Sequence, residues 1–156
     1  MELLTNAFDV WVFDRGASDP TYLLLRTSQE KADRWFGGGR FWQIPGGFLQ
    51  DDEQVLSVLD RPLSELGLEA TSLWQVDYVY PIFNRRFSAL QLIPVFAAEV
   101  AAEAKPELSW EHSDFGWFTA SACRQRLSFR PLQEGLDWVS HYISEQDQPR
   151  REFKLA

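Results

Sequence analysis

The chain has 156 residues, of which 45% are hydrophobic and 15% aromatic. This length and composition predict one domain with a packed core and argue against disorder. The formal net charge of -8 excludes a basic groove for a nucleic-acid polymer. Cys123 is the only cysteine, which excludes an internal disulfide and a cysteine-based zinc site.

The sequence also has no apolar run long enough to cross a membrane, and residues 1–4 lack the basic start of a signal peptide. We therefore expect no membrane partner and a location in the cytoplasm.

Two apolar runs near the start of the sequence, residues 7–13 and 22–27, predict strands because they are rich in aromatic and branched residues. The turn-forming residues between them indicate a short connection. The glycine-rich residues 35–40 are interpreted as a flexible connector, although glycines could also approach a phosphate. Residues 41–44 then predict a short strand.

A helix is predicted over residues 51–66. Asp51 and Gln54 have the spacing of a capping box, the apolar residues that follow have helical spacing, and Gly67 is a usual helix end. Pro62 lies far from the first turn, where proline costs about 3 kcal/mol. We therefore expect the helix to kink or restart near Pro62, with Asp60 as a second cap.

The second half of the sequence predicts strands at residues 72–83, 86–100 and 115–118 and helices at residues 119–127 and 131–143. The long strands are hinged near Asn84 and Arg85. Strands flanked by helices on two sides indicate a layered α/β/α domain, with the helices at 51–66 and 131–143 on opposite faces. We assign residues 1–145 to this single domain and expect residues 146–156 to form a loose tail.

The most informative stretch is Pro-Gly-Gly-Phe-Leu-Gln-Asp-Asp-Glu at residues 45–53 with the residues after it. It resembles the box of the Nudix hydrolases, which runs Gly, five residues, Glu, seven residues, then Arg-Glu-apolar-x-Glu-Glu-x-Gly. The positions in register are Gly47, Glu53, Arg61, Leu63 and Glu65. Residues 42–47, 92–100 and 111–118 resemble the strand before the box, the strand after it and the family's "EH, aromatic, W" segment, so the resemblance covers about residues 7 to 143.

The resemblance implies an α/β fold, the Nudix-type α/β/α sandwich with a central mixed sheet. It also implies a Mg²⁺- or Mn²⁺-dependent pyrophosphohydrolase acting on a nucleoside or pterin diphosphate-linked compound. Its fuller part is similar to small bacterial-type enzymes that act on nucleoside or pterin triphosphates. The expected partner is thus a small-molecule phosphate compound, and a homodimer is left open.

The box departs from the family pattern at two glutamates. Pro62 stands where the Glu after Arg61 belongs, and the chain is one residue short between Glu65 and Gly67. Starting the alignment at Gly46 restores the length but loses other box residues. Because Mg²⁺ needs several converging oxygen ligands, we expect the metal to bind weakly if at all.

The resemblance assigns the remaining site residues. Glu53, Glu65 and Glu111 are the candidate catalytic carboxylates, and the carbonyl of Gly46 with Glu65 and Glu111 is the candidate metal set. Each side chain has an alternative: Glu53 stabilises a helix N-terminus, Glu65 lies on a solvated face, and Glu111 is a loop charge beside a hydrogen-bonded His112.

Four arginines are candidates for binding phosphate or the box carboxylates, because guanidinium groups suit both. They are Arg26, Arg61, Arg85 and Arg86. The alternatives are a surface ion pair for Arg61 and a solvated turn for Arg85 and Arg86. Trp35, Trp42 and Phe83 are candidates for stacking on a base.

Two functions remain open on the sequence. The first is a pyrophosphohydrolase with activity weakened by the missing carboxylates. The second is a non-catalytic Nudix-fold domain that binds a nucleotide or a protein partner through the same cleft.

Overall fold

The longest apolar runs of the chain form the centre of one mixed sheet in a computed structural model that describes residues 1–156. The strands are β1 (Leu3–Leu4), β2 (Ala7–Asp14), β3 (Thr21–Thr27), β4 (Trp42–Gln43), β5 (Gly46–Phe48), β6 (Ala70–Asn84), β7 (Ala89–Val100) and β8 (His112–Thr119). The helices are α1 (Gln29–Trp35), α2 (Val55–Val58), α3 (Arg61–Glu65), α4 (Ala120–Arg126) and α5 (Arg130–Val139). A π-helical turn (Ser140–Ser144) extends α5, and a 3₁₀ turn (Arg151–Phe153) lies near the end.

The strands pair in both directions, as a mixed sheet requires. β7 is parallel to β1 and β2 and antiparallel to β6, while β3 is antiparallel to β2, β4 and β8. β2 and β3 pair only at Phe13–Tyr22 and Asp14–Thr21 and then separate. The separated part of β2 pairs with β5, and that of β3 pairs with β4. Residues 42–48 are therefore inserted between two neighbouring strands.

The side chains of β2 alternate between two cores. Phe8, Val10 and Val12 face α2 and α3, whereas Trp11 and Phe13 face α5. The apolar helix residues that cover them are Leu59, Leu63 and Leu66 on one side and Leu132, Leu136, Val139 and Ile143 on the other. Each large side chain buried in this way contributes roughly 2 kcal/mol. The predicted α/β/α sandwich, with these helices on opposite faces, is confirmed.

The predicted helix break at Pro62 is also confirmed, but the predicted helix start at Asp51 is wrong. α2 ends at Val58, and Pro62 lies in the first turn of α3, where its missing N–H costs nothing. Asp60 occupies the N-cap position without a side-chain hydrogen bond. The capping box at Asp51 does not form, because the chain turns there and the helix begins at Val55.

Two segments are more ordered than the sequence suggests. α1 precedes the glycine-rich residues, and Ser28 caps it by accepting a hydrogen bond from the Lys31 N–H at 3.0 Å. The end of the predicted loose tail is bound to the sheet, since the Leu155 N–H donates to the Leu73 carbonyl at 2.8 Å and Lys154 pairs with Trp74. Residues 154–156 therefore lie along the outer edge of β6. None of the helices is long and apolar enough to span a membrane.

Gly46→Ala should destabilise the fold, because a Cβ at position 46 would lie 2.8 Å from both the Asp9 Oδ1 and the Phe8 carbonyl oxygen. Overpacking of this kind costs about 1–3 kcal/mol. Gly39→Ala is the matched control, since its Cβ would meet no atom closer than 3.5 Å. Chemical denaturation measures both, and equal free energies of unfolding for the two variants would contradict the close packing of β5 on β2.

Candidate active site

The start of the box segment is held by main-chain bonds to β2. The Val10 N–H donates to the Pro45 carbonyl at 2.8 Å, and Asp9 lies opposite Gly46. Because hydrogen-bonded and non-bonded pairs alternate in an antiparallel ladder, the Asp9–Gly46 pair is non-bonded. The carbonyl of Gly46 is therefore turned away from β2, and Gly46 itself is exposed.

Residues 45–53 form the segment that we call the box loop. Pro62 fills the position beside this loop where the family pattern has a glutamate. It is buried, and a Cβ on Gly47 would lie 3.2 Å from the Pro62 Cγ and 2.9 Å from the Phe8 ring. An apolar ring thus packs against the loop at the point where a carboxylate would have faced it.

Basic partners neutralise two of the three candidate carboxylates. Glu53 accepts a hydrogen bond from Arg61 at 2.6 Å, and Glu111 lies 3.3 Å from the Lys31 Nζ. Glu65, at the end of α3, is exposed and has no ion-pair partner.

The residues present do not fit a Mg²⁺ site. Mg²⁺ demands near-octahedral oxygen coordination, to which the protein usually contributes carboxylates. No three His, Cys, Asp or Glu side chains lie close enough together to hold a metal ion. Gly46, Glu65 and Glu111 are therefore not joined by further carboxylates into a ligand cluster.

Glu111 belongs to a polar cluster that ties β4 to α1 and β8. The Gln43 side-chain oxygen accepts a hydrogen bond from the Lys31 Nζ at 2.9 Å and lies 2.8 Å from the His112 Nε2. Burial is the main reason that the pKa of His112 falls to about 4, and the Lys31 charge adds to it. His112 is therefore neutral near pH 7.

Asp9 is a site residue that the sequence interpretation missed. Its partly buried carboxylate lies on the α5 side of β2 and accepts a hydrogen bond from the Tyr80 hydroxyl. Burial raises the pKa of Asp9 to about 7, although the hydrogen bond from Tyr80 opposes the rise. An aspartate inside the apolar run of residues 7–13 was the available signal.

Three arginines near the box have no carboxylate within 4 Å: Arg26, Arg85 and Arg86. Arg26 is partly buried on β3 and lies over the Trp42 ring at 5.6 Å. Arg85 and Arg86 are exposed in the turn between β6 and β7. Arg61 differs from them because its guanidinium forms an ion pair with Glu53.

The β6–β7 turn reaches the box loop through a row of stacked side chains that we call the aromatic stack. Its members, in spatial order, are Arg34, Trp110, Trp35, Arg86, Phe87 and Phe48. Arg86 lies 4.6 Å from the Trp35 ring centre and 5.0 Å from that of Phe87. The Phe87 and Phe48 rings are 6.3 Å apart, so the stack ends on the box loop. Trp35, a candidate for base stacking, is thus already stacked.

The fold and the box segment together identify the family. The family model for the NUDIX domain matches residues 3–139, and the chain belongs to the Nudix family. Hydrolases of this family generally use divalent metals such as Mg²⁺. A comparison with curated proteins found no match.

Solved structures agree on the fold. A protein from Listeria monocytogenes assigned to the Nudix hydrolases has a TM-score of 0.76 at 19% identity, covering 94% of this chain and 99% of that one. A Caenorhabditis elegans Ap4A hydrolase has a TM-score of 0.71 at 16% identity, with 92% and 100% covered. The Nudix domain of Shewanella oneidensis NrtR, complexed with ADP-ribose, has a TM-score of 0.68 at 19% identity, with 90% and 89% covered.

Asp9→Asn should become more stable relative to the unchanged protein as the pH rises. The pKa of the Asp9 carboxyl is about 7 in the folded protein, against an ordinary value of 3.8 that we take for the unfolded chain. Between these values the folded state binds the extra proton, so the aspartate lowers the free energy of unfolding as the pH rises from about 4 to about 7. Urea denaturation of both proteins across this range measures the difference. A difference that does not change with pH would contradict the raised pKa of Asp9.

Proposed function

We propose that this Nudix domain binds a small phosphate compound of the nucleotide type at the box loop without needing a metal ion, and that it does not hydrolyse the compound. The observation that carries the proposal is the distribution of charge. Arg26, Arg85 and Arg86 have no carboxylate partner although the chain has a net charge of -8. In contrast, Glu53 and Glu111 each form an ion pair with a basic side chain.

A phosphate group suits these arginines. Guanidinium groups bind phosphate oxygens with charge-assisted hydrogen bonds, often two at once. Arg26 lies on the strand that pairs with β4, directly before the box loop, and its stacking on Trp42 limits its rotamers. A local positive charge of this kind attracts an anion even in an acidic protein.

The relatives support the class of ligand. One neighbour is an Ap4A hydrolase and another was solved with ADP-ribose, and both compounds join phosphates to adenosine. With 13–19% identity among such neighbours, the particular compound is not carried over. We therefore propose that the ligand is a nucleoside or pterin diphosphate-linked compound. We also propose that the protein acts in the cytoplasm and has no nucleic-acid polymer as a partner.

Slow hydrolysis of a phosphoanhydride is the second candidate function. Glu65 is exposed and unpaired, and the carbonyl of Gly46 is turned away from β2, so two members of the family's ligand set remain available. We propose that Mg²⁺ or Mn²⁺ binds weakly to such a reduced set.

Binding should persist when the metal is removed. In EDTA, at a ligand concentration of 100 Kd, ATP or ADP-ribose should stabilise the protein by about 2.7 kcal/mol. Arg26→Gln should weaken binding roughly tenfold, because hydrogen bonds between charged groups contribute about 1.5–3 kcal/mol. Arg150→Gln, remote and paired with Glu152, should change nothing. Calorimetry measures the affinities, and binding that appears only with Mg²⁺ would contradict the proposal.

Hydrolysis decides between the two candidate functions. Under the first candidate function, we expect no phosphate release above the uncatalysed rate from nucleoside triphosphates, nucleotide sugars and dinucleotides in Mg²⁺ or Mn²⁺. If turnover is detected, Glu65→Gln and Glu111→Gln should abolish it under the second candidate function. Fast turnover that neither substitution affects would contradict both assignments, because the activity would then depend on other residues.

A further inference from the structure

An open pocket of about 340 Å³ lies beside the glycine-rich residues, between α1 and the start of α5. Phe36, Phe41 and Phe129 form its apolar wall, and Arg40 and Arg85 supply its charge. Small-molecule sites typically have volumes of about 300–1,000 Å³ and combine aromatic walls with a few polar groups. The pocket is therefore large enough for one ring system of a ligand.

The three phenylalanines form a continuous aromatic surface. The Phe41 ring is 4.8 Å from that of Phe36 and 4.9 Å from that of Phe129, both edge to face. None of the three belongs to either core, and Phe36 and Phe129 are 37% and 47% exposed. Exposed aromatic side chains in one place indicate a contact surface for another group.

The two arginines differ in their freedom to bind an anion. The Nε of Arg40 donates to the Thr27 carbonyl at 2.8 Å, and its guanidinium lies 3.6 Å from Asp114, so its position is fixed and its charge is shared. Arg85 has no carboxylate within 4 Å and lines the same pocket. The pocket therefore has an aromatic wall and one unneutralised guanidinium.

The pocket adjoins the box loop through the β6–β7 turn. Arg85 and Phe87 lie in the same turn, and Phe87 contacts Phe48 of the box loop at 6.3 Å between ring centres. The turn therefore supplies Arg85 to the pocket and Phe87 to the box loop.

We infer that this pocket binds the base of the nucleotide-type ligand, with the base on Phe129 and Phe36 and its nearest phosphate on Arg85. The inference rests on the proposed function, because it assigns the base of the ligand whose phosphates bind at the box loop. Every base has a π face, so the pocket selects a planar ring system without reading one base in particular.

The test compares ATP, tripolyphosphate and adenosine by calorimetry in EDTA. ATP should bind roughly tenfold or more tightly than tripolyphosphate, because stacking of a base on aromatic side chains has about that effect. Phe129→Leu keeps an apolar side chain but removes the ring. It should weaken the binding of ATP without changing the binding of tripolyphosphate. Tyr142→Leu is the control, since Tyr142 is 42% exposed and lies outside the pocket. Phe83→Leu tests the competing stacking position, since Phe83 is 62% exposed and also lies outside the pocket.

Arg85→Gln provides the second arm. It should weaken the binding of ATP and leave the weak binding of adenosine unchanged, because only the phosphate contact is lost. Circular dichroism and thermal unfolding confirm that each variant is folded.

The outcomes separate the two proposals. Equal affinities for ATP and tripolyphosphate would overturn the base pocket and leave the proposed function standing. A loss of ATP affinity in Phe83→Leu but not in Phe129→Leu would also overturn it, because the base would then stack elsewhere. Failure of ATP and tripolyphosphate to bind at all would overturn the proposed function and, with it, this inference.

Discussion

β2 and β3 pair for two residues and then separate, and residues 42–48 fill the space between them. This insertion places the box loop on both strands at once. It also requires glycine at position 46, because β2 comes too close for a Cβ. Asp9 from β2 lies opposite Gly46 and Arg26 from β3 lies over the Trp42 ring, because their strands enclose the inserted segment.

The break between α2 and α3 determines the chemistry that this framework can support. Pro62 begins a new helix and packs against Gly47, while Arg61 at the same break reaches back to Glu53. A continuous helix could have aligned several carboxylates on one face, since residues three and four apart are neighbours. Here the break replaces one carboxylate with an apolar ring and ties another to a guanidinium. The result is a box loop beside which no three His, Cys, Asp or Glu side chains come together as a metal-ligand group.

The strands, the two-sided core and the helix break could be predicted from the sequence because each has a local cause. β2 is buried on both faces, and residues 7–13 therefore form an apolar run that only Asp9 interrupts. α1 was missed because only Ala32 is buried and no apolar spacing marks it. The bonds from Tyr80 to Asp9 and from Lys31 to Glu111 join distant parts of the chain, and no local pattern encodes them. The partners of the candidate residues therefore could not be predicted from the sequence.

The segment along β6 has a consequence for how copies of the protein meet. An uncovered edge strand offers a row of free main-chain groups to any other strand, which is a common route to aggregation. Lys154 and Leu155 already pair with the main chain in the first half of β6. Further along, Pro81 lacks a backbone donor, a device found on edge strands. Self-association through this edge is thus disfavoured at both ends of the strand, which helps to keep the sheet of one molecule separate from that of the next.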